Sequence, residues 1–334
     1  MIITKTPFRI SFFGGGTDYP NWIERYGGAV LATTINRHCY VSCRELLPFF
    51  EYRYRIVYSK TEHPKTISEI QHPAVKAVLS HLRFEDAEIG LEIHYDADLP
   101  SRTGLGSSSA FTVGLLNALK AFRGQYSSKV ELTKLAIHIE QKLIGETVGS
   151  QDQTLAAHGG FNKIEFHRDG EISVSPVILS AQRMQDLNNH LMLYFTGFSR
   201  IASEIAKTKV ANLMAKENHL LRMRQMVDDG IEILQKEDEP LNHFGELLHE
   251  AWMCKKDLSN QISTSAIDQM YEKARGAGAI GGKLLGAGGG GFMLLFAKPT
   301  MQPKIKEVLK DFLHVPFQFE LEGSRVVLYR PHGF

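Results

Sequence analysis

One glycine- and serine-rich segment limits what this chain can fold into more than any other feature. It reads Pro-Ser-Arg-Thr-Gly-Leu-Gly-Ser-Ser-Ser-Ala over residues 100–110. Residues 89–96, just before it, alternate between apolar and polar side chains, which is typical of a half-buried strand. The residues that follow it have helical spacing to about Phe122. The segment is therefore predicted to connect a strand to a helix.

Such a connection is suited to binding a phosphate group. The first N–H groups of a helix lack partners within the helix and carry the positive end of its dipole, and glycines let the main chain approach an anion closely. Three consecutive serines add hydroxyl groups for phosphate oxygens or for a cation. The alternative is a serine cap after a glycine turn, but a cap uses only one serine. We therefore interpret residues 100–110 as a phosphate-binding loop.

A second glycine-rich loop lies at residues 283–292, where Gly286, Gly288 and Gly291 match the pattern Gly-x-Gly-x-x-Gly. A dinucleotide-binding loop should lead into a helix, whereas this one leads into an apolar run that is typical of a strand. It is not a Walker A loop either, because Leu284 follows Lys283 where serine or threonine is required. A flexible hairpin is one interpretation. Four successive glycines are entropically costly, however, and a close approach of the backbone to a ligand would explain them.

A third loop, at residues 12–20, follows the first predicted strand and contains Gly14, Gly15, Gly16, Thr17 and Asp18. The carboxylate of an aspartate can accept hydrogen bonds from hydroxyl groups, of which a sugar has several. The alternative is that Asp18 caps a short helix that begins near Pro20.

The length of the chain predicts two domains around a cleft. At 334 residues it exceeds the size at which one hydrophobic core usually stops growing. Strand patterns dominate the first half, whereas a strand at 191–196 leads into a mostly helical stretch over 199–275, broken near Pro240. Strands are again expected at 292–297, 316–321 and 325–329, with a helix over 302–312. We place an N-terminal domain at residues 1–185 and a C-terminal domain at 186–334.

Composition disfavours several classes of function. Lys plus Arg (38) nearly balance Asp plus Glu (37), with no long block of one sign, so nucleic-acid binding is not expected. Neither a signal peptide nor a run long enough to span a membrane is recognised. The three cysteines form no Cys-x-x-Cys motif, and buried free thiols in a reducing cytoplasm are the simplest interpretation.

In their order along the chain, the three loops resemble the GHMP kinases, the superfamily of galactokinase, homoserine kinase and mevalonate kinase. The pattern Pro-x-x-x-Gly-Leu-Gly-Ser-Ser is its most specific motif, and the resemblance extends over residues 7–291. Residues 7–20 and 27–30 look most like the D-glycero-D-manno-heptose 7-phosphate kinases. The motif Gly-Ser-Gln-Asp-Gln at 149–153, with 158–162, is similar to that subgroup as well.

The resemblance implies an α/β fold of two domains. The N-terminal ATP-binding domain would contain a left-handed βαβ crossover, and the C-terminal domain would be ferredoxin-like. The spacing of the residues alone would instead favour right-handed units.

The resemblance also implies roles for individual residues. Asp152 would accept or orient the hydroxyl proton, Arg9 would pair with it, and Ser108 with Glu140 would hold Mg²⁺. A structural Arg9–Asp152 ion pair and an exposed helical carboxylate at Glu140 are the alternatives. The residues expected to wrap the ATP phosphates are Pro100, Gly104, Leu105, Gly106, Ser107, Ser108 and Ser109. Those expected to bind the acceptor substrate are Gly15, Gly16, Thr17, Asp18, Gly288 and Gly289.

The function expected from these residues is an ATP- and Mg²⁺-dependent sugar kinase in the cytoplasm. The acceptor is expected to be D-glycero-D-manno-heptose 7-phosphate, phosphorylated at its anomeric hydroxyl. Galactokinases have Gly-Glu-His where this chain has Gly14-Gly15-Gly16. A phosphorylated acceptor also needs a cationic pocket, for which Arg102, Arg37 and Lys163 are the candidates. A kinase for fucose, galactose or a uronic acid, a non-catalytic ATP and sugar sensor, and an unrelated binding protein are the alternatives, and the oligomeric state stays open.

Overall fold

Two β-sheets organise the computed structural model, which describes residues 1–86, 89–101, 103–197 and 216–331. The strands, in chain order, are β1 (Ile2–Phe13), β2 (Gly28–Leu46), β3 (Tyr54–Val57), β4 (Thr61–Glu62), β5 (Gly90–Ala97), β6 (Phe161–Phe166), β7 (Ile172–Pro176), β8 (Leu191–Gly197), β9 (Ala279–Leu284), β10 (Gly291–Ala297), β11 (Leu313–His314), β12 (Phe319–Glu320) and β13 (Arg325–Tyr329).

Helices cover both sheets. The α-helices of the described part are α1 (Pro20–Tyr26), α2 (Pro73–His81), α3 (Ser107–Phe122), α4 (Lys129–His138), α5 (Gln151–His158), α6 (Ala181–Asn189), α7 (Glu217–Gln235), α8 (Asn242–Lys256), α9 (Ser265–Gly276) and α10 (Gln302–Val308). Short 3₁₀ turns lie at Ile67–Glu69, Phe84–Asp86 and Pro299–Met301, and a π-helical turn, Ile139–Ile144, extends α4. In the ranges given above, no helix is both long and apolar enough to cross a membrane.

Nine of the described strands form the first sheet, in the order β13-β1-β2-β5-β3-β4, with β6 and β12 also paired to β2 and β7 paired to β6. Strand β2 is 19 residues long and rich in β-branched and aromatic residues, which favour strands, so it can pair with several neighbours along its length. Strands β3 and β5 are parallel and are joined through α2. They form the expected βαβ unit, and the hand of its crossover stays a prediction.

The second sheet confirms the expected ferredoxin-like topology. Its strands lie in the order β11-β8-β10-β9, and each neighbouring pair is antiparallel. Along the chain the elements run β8, helices α7 to α9, β9, β10, α10 and β11, which is a βαββαβ arrangement with two additional helices. The break predicted near Pro240 falls between α7 and α8. The part of the predicted helical stretch at residues 199–215 lies outside the described residues.

The end of the chain returns to the first sheet. Strand β13 pairs with β1, where Ile2 lies opposite Tyr329, and β12 pairs with β2, where Phe319 lies opposite Ile35. This part of the predicted C-terminal domain therefore belongs to the sheet of the N-terminal domain. The physical reason is that β13 occupies the edge of β1, whose backbone groups would otherwise be unpaired.

The two sheets share one hydrophobic core at the end of β1. Phe12 and Phe13 are buried and pack edge-on against Phe244 of helix α8, with ring centroids 5.5 and 5.1 Å apart. Cys39 and Cys43 of β2 lie in the same core as free thiols, and burial raises the pKa of both. This shared core sets how the loops at the ends of the two sheets face each other.

The first and second glycine-rich loops touch backbone to backbone. A Cβ atom added at Gly286 would lie 2.3 Å from the Cα atom of Gly104, and one added at Gly291 would lie 2.3 Å from the carbonyl oxygen of Thr103. Gly286 also has a φ of +75°, which side-chain-bearing residues rarely adopt. Lys255 of α8 is buried and donates hydrogen bonds to the carbonyl oxygens of Leu284 and Gly286, both at 2.7 Å. The second loop is thus fixed against the first.

We expect Gly286→Ala to lower the free energy of unfolding by roughly 1–2 kcal/mol or more, because the left-handed backbone and the contact with Gly104 both oppose a side chain there. Denaturant unfolding measures the change. Gly276→Ala is the matched control, since a Cβ atom at Gly276 meets nothing within 4 Å. An unchanged denaturant midpoint for Gly286→Ala would contradict the backbone contact between the loops.

Candidate active site

The centre of the site is an ion pair between strand β1 and helix α5. Nε of Arg9 lies 2.7 Å from Oδ1 of Asp152, and Nη2 of Arg9 lies 2.8 Å from Oδ2. This two-bond geometry is the strong form of an arginine–carboxylate pair. The Arg9 side chain is 6% exposed and that of Asp152 is 25% exposed, so the carboxylate is the accessible side of the pair. The pairing suggested by the resemblance is therefore present.

Arg9 also binds the first glycine-rich loop. Its Nη1 donates a hydrogen bond to the carbonyl oxygen of Gly104, and its backbone N–H donates one to the carbonyl oxygen of Leu105 at 3.0 Å. A Cβ atom at Gly106 would lie 3.1 Å from Cγ of Arg9 and 3.4 Å from Cγ of Asp152. The loop thus passes directly over the ion pair, and glycine permits this approach.

Helix α3 begins immediately after this loop. Gly106 takes the N-cap position with a left-handed φ of +73°, and it supplies no side-chain cap. The loop upstream is fixed by Thr103, whose hydroxyl donates to the carbonyl oxygen of Pro100 at 2.8 Å. A 16-residue helix therefore directs its N-terminal N–H groups and the positive end of its dipole beside the Arg9–Asp152 pair. This arrangement supports phosphate binding by residues 100–109.

The three serines at the start of α3 have different environments. Ser107 and Ser109 are buried, whereas Ser108 is exposed. The hydroxyl of Ser109 donates a hydrogen bond of 2.8 Å to Oε2 of Glu140. The carboxylate predicted to share a metal with Ser108 is therefore hydrogen-bonded to its neighbour Ser109.

Glu140 is a buried carboxylate on the π-helical turn, so the alternative of an exposed helical carboxylate is wrong. Burial raises its pKa to about 7, although the hydrogen bonds from Ser109 and Gln153 act in the opposite direction. Its Oε2 accepts from both Ser109 and Gln153, whereas its Oε1 is buried and has no hydrogen-bond partner within the described ranges. A buried carboxylate oxygen without a partner is costly unless something else binds it.

A magnesium ion fits this donor set. Mg²⁺ binds oxygen ligands and usually combines one or two protein groups with substrate phosphates and water. The exposed Ser108 hydroxyl and the Glu140 carboxylate both supply oxygen, and Oε1 of Glu140 is left over after the protein's own hydrogen bonds are made.

The third loop places Asp18 next to the ion pair. Oδ1 of Asp18 accepts a hydrogen bond from the N–H of Gly16 at 2.9 Å, and Oδ2 accepts one from the side-chain nitrogen of Gln151 at 2.9 Å. Asp18 is buried, and the N-cap position of α1 is occupied by Tyr19, not by Asp18. Burial and the neighbouring carboxylates of Asp18 and Asp152 together raise the pKa of Tyr19.

Three of the predicted acceptor-binding residues, Thr17, Gly288 and Gly289, make contacts within the protein. The hydroxyl of Thr17 is buried and donates to the carbonyl oxygens of Gly14 and Ala29, at 2.9 and 3.0 Å. The N–H of Gly289 donates to the carbonyl oxygen of Ile262 at 2.9 Å, and a Cβ atom at Gly288 would lie 2.8 Å from Cα of Ile262. Thr17 therefore shapes its own loop, and Gly288 and Gly289 pack the second loop against residue 262.

The cationic residues predicted to bind a phosphate group of the acceptor also have partners within the protein where the structure describes them. Nζ of Lys163 lies 2.9 Å from Asp228 and 3.1 Å from Glu165, so two carboxylates balance its charge. Arg37 donates a hydrogen bond to the carbonyl oxygen of Pro316. Arg102 lies outside the described residues. Glu165 and Asp228 also pair with Arg224, so Lys163 belongs to a charge-balanced cluster, which disfavours it as a phosphate ligand.

Residue-level reasoning from the sequence missed two glutamines. Gln151 binds Asp18 and Gln153 binds Glu140, on either side of Asp152. Their presence in the motif at 149–153 was the available signal, but only the structure shows that each reaches a different carboxylate. Ser11, which is buried on β1 two residues after Arg9, was not predicted from the sequence either.

A glycine-rich loop that opens a helix beside a buried arginine–aspartate pair, at the junction of two sheets, is typical of a two-domain small-molecule kinase. Family models agree: "GHMP kinases N terminal domain" matches residues 71–160 and "GHMP kinases C terminal" matches residues 234–314. The chain is 32% identical to the D-glycero-alpha-D-manno-heptose 7-phosphate kinase of Campylobacter jejuni, with 97% of this chain and 98% of that protein aligned. It therefore belongs to the GHMP kinases and is an ATP-dependent kinase.

Two further similarities extend this comparison. The crystal structure of a D-glycero-D-manno-heptose 1-phosphate kinase from Bacteroides thetaiotaomicron superposes with a TM-score of 0.80 at 26% identity, covering 99% of this chain and 100% of that one. The bifunctional fucokinase/GDP-fucose pyrophosphorylase of Arabidopsis thaliana is 27% identical over 90% of this chain and 30% of its own length. The two-domain fold is thus that of known GHMP kinases.

We expect Glu140→Gln to raise the Mg²⁺ concentration needed for half-maximal activity by roughly tenfold or more, because a neutral amide is a poorer ligand for a hard cation. The thermal midpoint should not fall, since the amide oxygen can still accept from Ser109 and Gln153 and a buried charge is removed. Glu246→Gln, on the exposed face of α8, is the control. An unaltered Mg²⁺ requirement would remove Glu140 from the metal site.

Proposed function

We propose that this protein phosphorylates the anomeric hydroxyl of D-glycero-D-manno-heptose 7-phosphate, using ATP and Mg²⁺. The observation that carries the proposal is the location of the Arg9–Asp152 pair, with the phosphate loop on one side and Asp18 on the other. A phosphoryl donor and a polyhydroxylated acceptor would then meet at Asp152. The names of the Campylobacter and Bacteroides relatives support a heptose phosphate as the acceptor.

The residues fit an in-line phosphoryl transfer. The acceptor oxygen forms a bond to the γ-phosphorus as the bond to the β,γ-bridging oxygen breaks, ADP leaves, and the hydroxyl proton passes to Asp152. A loose transition state needs alignment and charge neutralisation more than a strong base. Arg9 supports both requirements, because it holds the Asp152 carboxylate by two bonds and adds positive charge next to the loop.

The N-terminus of α3 and the metal would share the phosphate charge. The loop glycines expose backbone N–H groups to the β- and γ-phosphates. Ser108 and Glu140 would hold Mg²⁺, which neutralises negative charge on the ATP phosphates when it is bound. Glu140 would reach the metal through Oε1, because its other oxygen is hydrogen-bonded to Ser109 and Gln153.

A second candidate function is a kinase for another sugar, which the similarity to a fucokinase favours. The groups that separate the two functions are those that would bind a phosphate on the acceptor. Lys163 is neutralised by its neighbours, so that role would fall to other cations. A non-catalytic sensor has less support, since it would have no need for a paired Asp152 beside a phosphate loop.

We expect Asp152→Asn to lower turnover by about 10²–10⁴-fold, because an amide cannot take the hydroxyl proton. ATP binding should persist, as the loop and α3 are unchanged. The free energy of unfolding should fall by about 1–3 kcal/mol, since Arg9 stays buried with a weaker partner. Coupled ADP release and ATP titration measure the two effects, with Asp311→Asn on an exposed turn as the control. Wild-type turnover in Asp152→Asn would refute its catalytic role.

The acceptor is tested with a panel of heptose 7-phosphate, free heptose, fucose, galactose, glucuronate and mevalonate. We expect the highest kcat/KM for heptose 7-phosphate, with a KM that rises with salt more steeply than that of a neutral sugar, because salt screens a charged ligand. Preference for fucose or another neutral sugar would retain the sugar kinase and refute the heptose assignment. ATP binding without turnover of any acceptor would favour the sensor.

A further inference from the structure

Gly15 lies between two other glycines, but the constraints that require glycine at the neighbouring positions do not apply to it. Gly14 has a φ of +81°, and a Cβ atom there would lie 1.9 Å from the carbonyl oxygen of Ala29. Gly15 is not in the left-handed region, and a Cβ atom there would meet only Oγ of Ser11 at 3.7 Å and Nε2 of Gln151 at 3.8 Å. Both are ordinary van der Waals distances. Neither the backbone nor packing among the described residues requires glycine at this position.

The two side chains nearest to a Cβ atom at Gly15, those of Ser11 and Gln151, each carry a polar atom without a hydrogen-bond partner in the described residues. Oγ of Ser11 and Oε1 of Gln151 are both buried, and neither has a hydrogen-bond partner in the described part of the chain. Buried polar atoms are nearly always hydrogen-bonded, because leaving one unpaired costs about 1–3 kcal/mol. Two such atoms on the side chains that flank Gly15 indicate that a ligand supplies the missing partners.

The orientation of the Gln151 amide is fixed by its neighbour. Its nitrogen donates to the carboxylate of Asp18 at 2.9 Å, and an ionised carboxylate can only accept. The nitrogen therefore faces Asp18, so Oε1 is the atom left to accept a hydrogen bond. The hydroxyl of Ser11 can both donate and accept.

The same two residues adjoin the catalytic pair. Ser11 follows Arg9 by two positions on β1, so the two side chains lie on the same face of the strand. Gln151 directly precedes Asp152 at the start of α5. A molecule above Gly15 would therefore lie beside the carboxylate that receives the proton.

We infer that Ser11 and Gln151 each hydrogen-bond a hydroxyl group of the acceptor, whose ring lies over Gly15. This inference rests on the proposed function and assigns two residues that determine acceptor specificity. An acceptor with a methyl or methylene group at either position would leave a buried polar atom unpaired. The site therefore selects acceptors with hydroxyl groups next to the one that is phosphorylated.

The test combines enzyme variants with deoxy sugars. The variants are Ser11→Ala, Gln151→Met and Gly15→Ala, assayed with heptose 7-phosphate and its monodeoxy analogues. We expect each variant to raise the acceptor KM about tenfold and to leave the KM for ATP unchanged. Ser11→Ala and Gln151→Met each remove one hydrogen bond to the acceptor, whereas Gly15→Ala places a methyl group where the sugar would lie. For Ser11→Ala and for Gln151→Met, the increase in acceptor KM over wild type should vanish with one particular deoxy analogue. That analogue lacks the hydroxyl group that the deleted side chain would bind, so the wild-type enzyme cannot make the contact either.

The matched controls are Ser42→Ala, a serine of the neighbouring strand β2, and Gly276→Ala, whose Cβ atom would meet nothing within 4 Å. Thermal midpoints of all variants separate a folding defect from a binding defect. A wild-type acceptor KM in Ser11→Ala and Gln151→Met, or a loss of equal size on every analogue, would overturn the inference while the proposed function stands. A wild-type enzyme that turns over no sugar would overturn the proposed function, and the inference with it.

Discussion

The buried guanidinium of Arg9 is the interaction on which the rest of the site depends. It joins a strand, a loop and a helix that are far apart in sequence, through the carboxylate of Asp152 and the carbonyl oxygen of Gly104. Removing a charged group from water is costly, and the two-bond geometry with Asp152 offsets that cost. Since the pair is fixed from both sides, it sets the placement of the first glycine-rich loop relative to the start of α5.

The second constraint is the contact between the two glycine-rich loops. Gly104 and Gly286 approach so closely that neither can carry a side chain. Buried Lys255 holds the second loop by donating hydrogen bonds to the carbonyl oxygens of Leu284 and Gly286. The ferredoxin-like sheet thus supports the loop that opens helix α3. The sequence predicts a close approach of the four successive glycines at 288–291 to a ligand, and that stays a prediction. In the structure, Gly288 lies against the backbone of Ile262 and Gly291 against that of Thr103.

The sequence was informative about local features and less so about long-range contacts. The strand–loop–helix connection at residues 100–110 followed from a short motif and periodicity, and the ferredoxin-like order followed from the family resemblance. The buried thiols expected from the cysteine count are found at Cys39 and Cys43, whereas Cys254 is only partly buried. The return of β13 to β1 did not follow from any of these signals, because pairing between Ile2 and Tyr329 leaves no local pattern. Likewise, the hydrogen bond from Ser109 to Glu140 joins residues 31 positions apart, and adjacent serines look alike in sequence. Which serine of the run binds Glu140 is decided by which hydroxyl the fold buries beside that carboxylate.

The first turn of helix α5 shows how one short element serves three parts of the site. Consecutive residues in a helix point about 100° apart, so three in a row project in different directions. Gln151 reaches Asp18 on the acceptor side, Asp152 reaches Arg9 at the centre, and Gln153 reaches Glu140 on the proposed metal side. Because all three extend from one rigid turn, the acceptor, the transferring phosphoryl group and the metal would be held in a fixed relation. Alignment is the main requirement of phosphoryl transfer, and in the proposed reaction this turn would supply it.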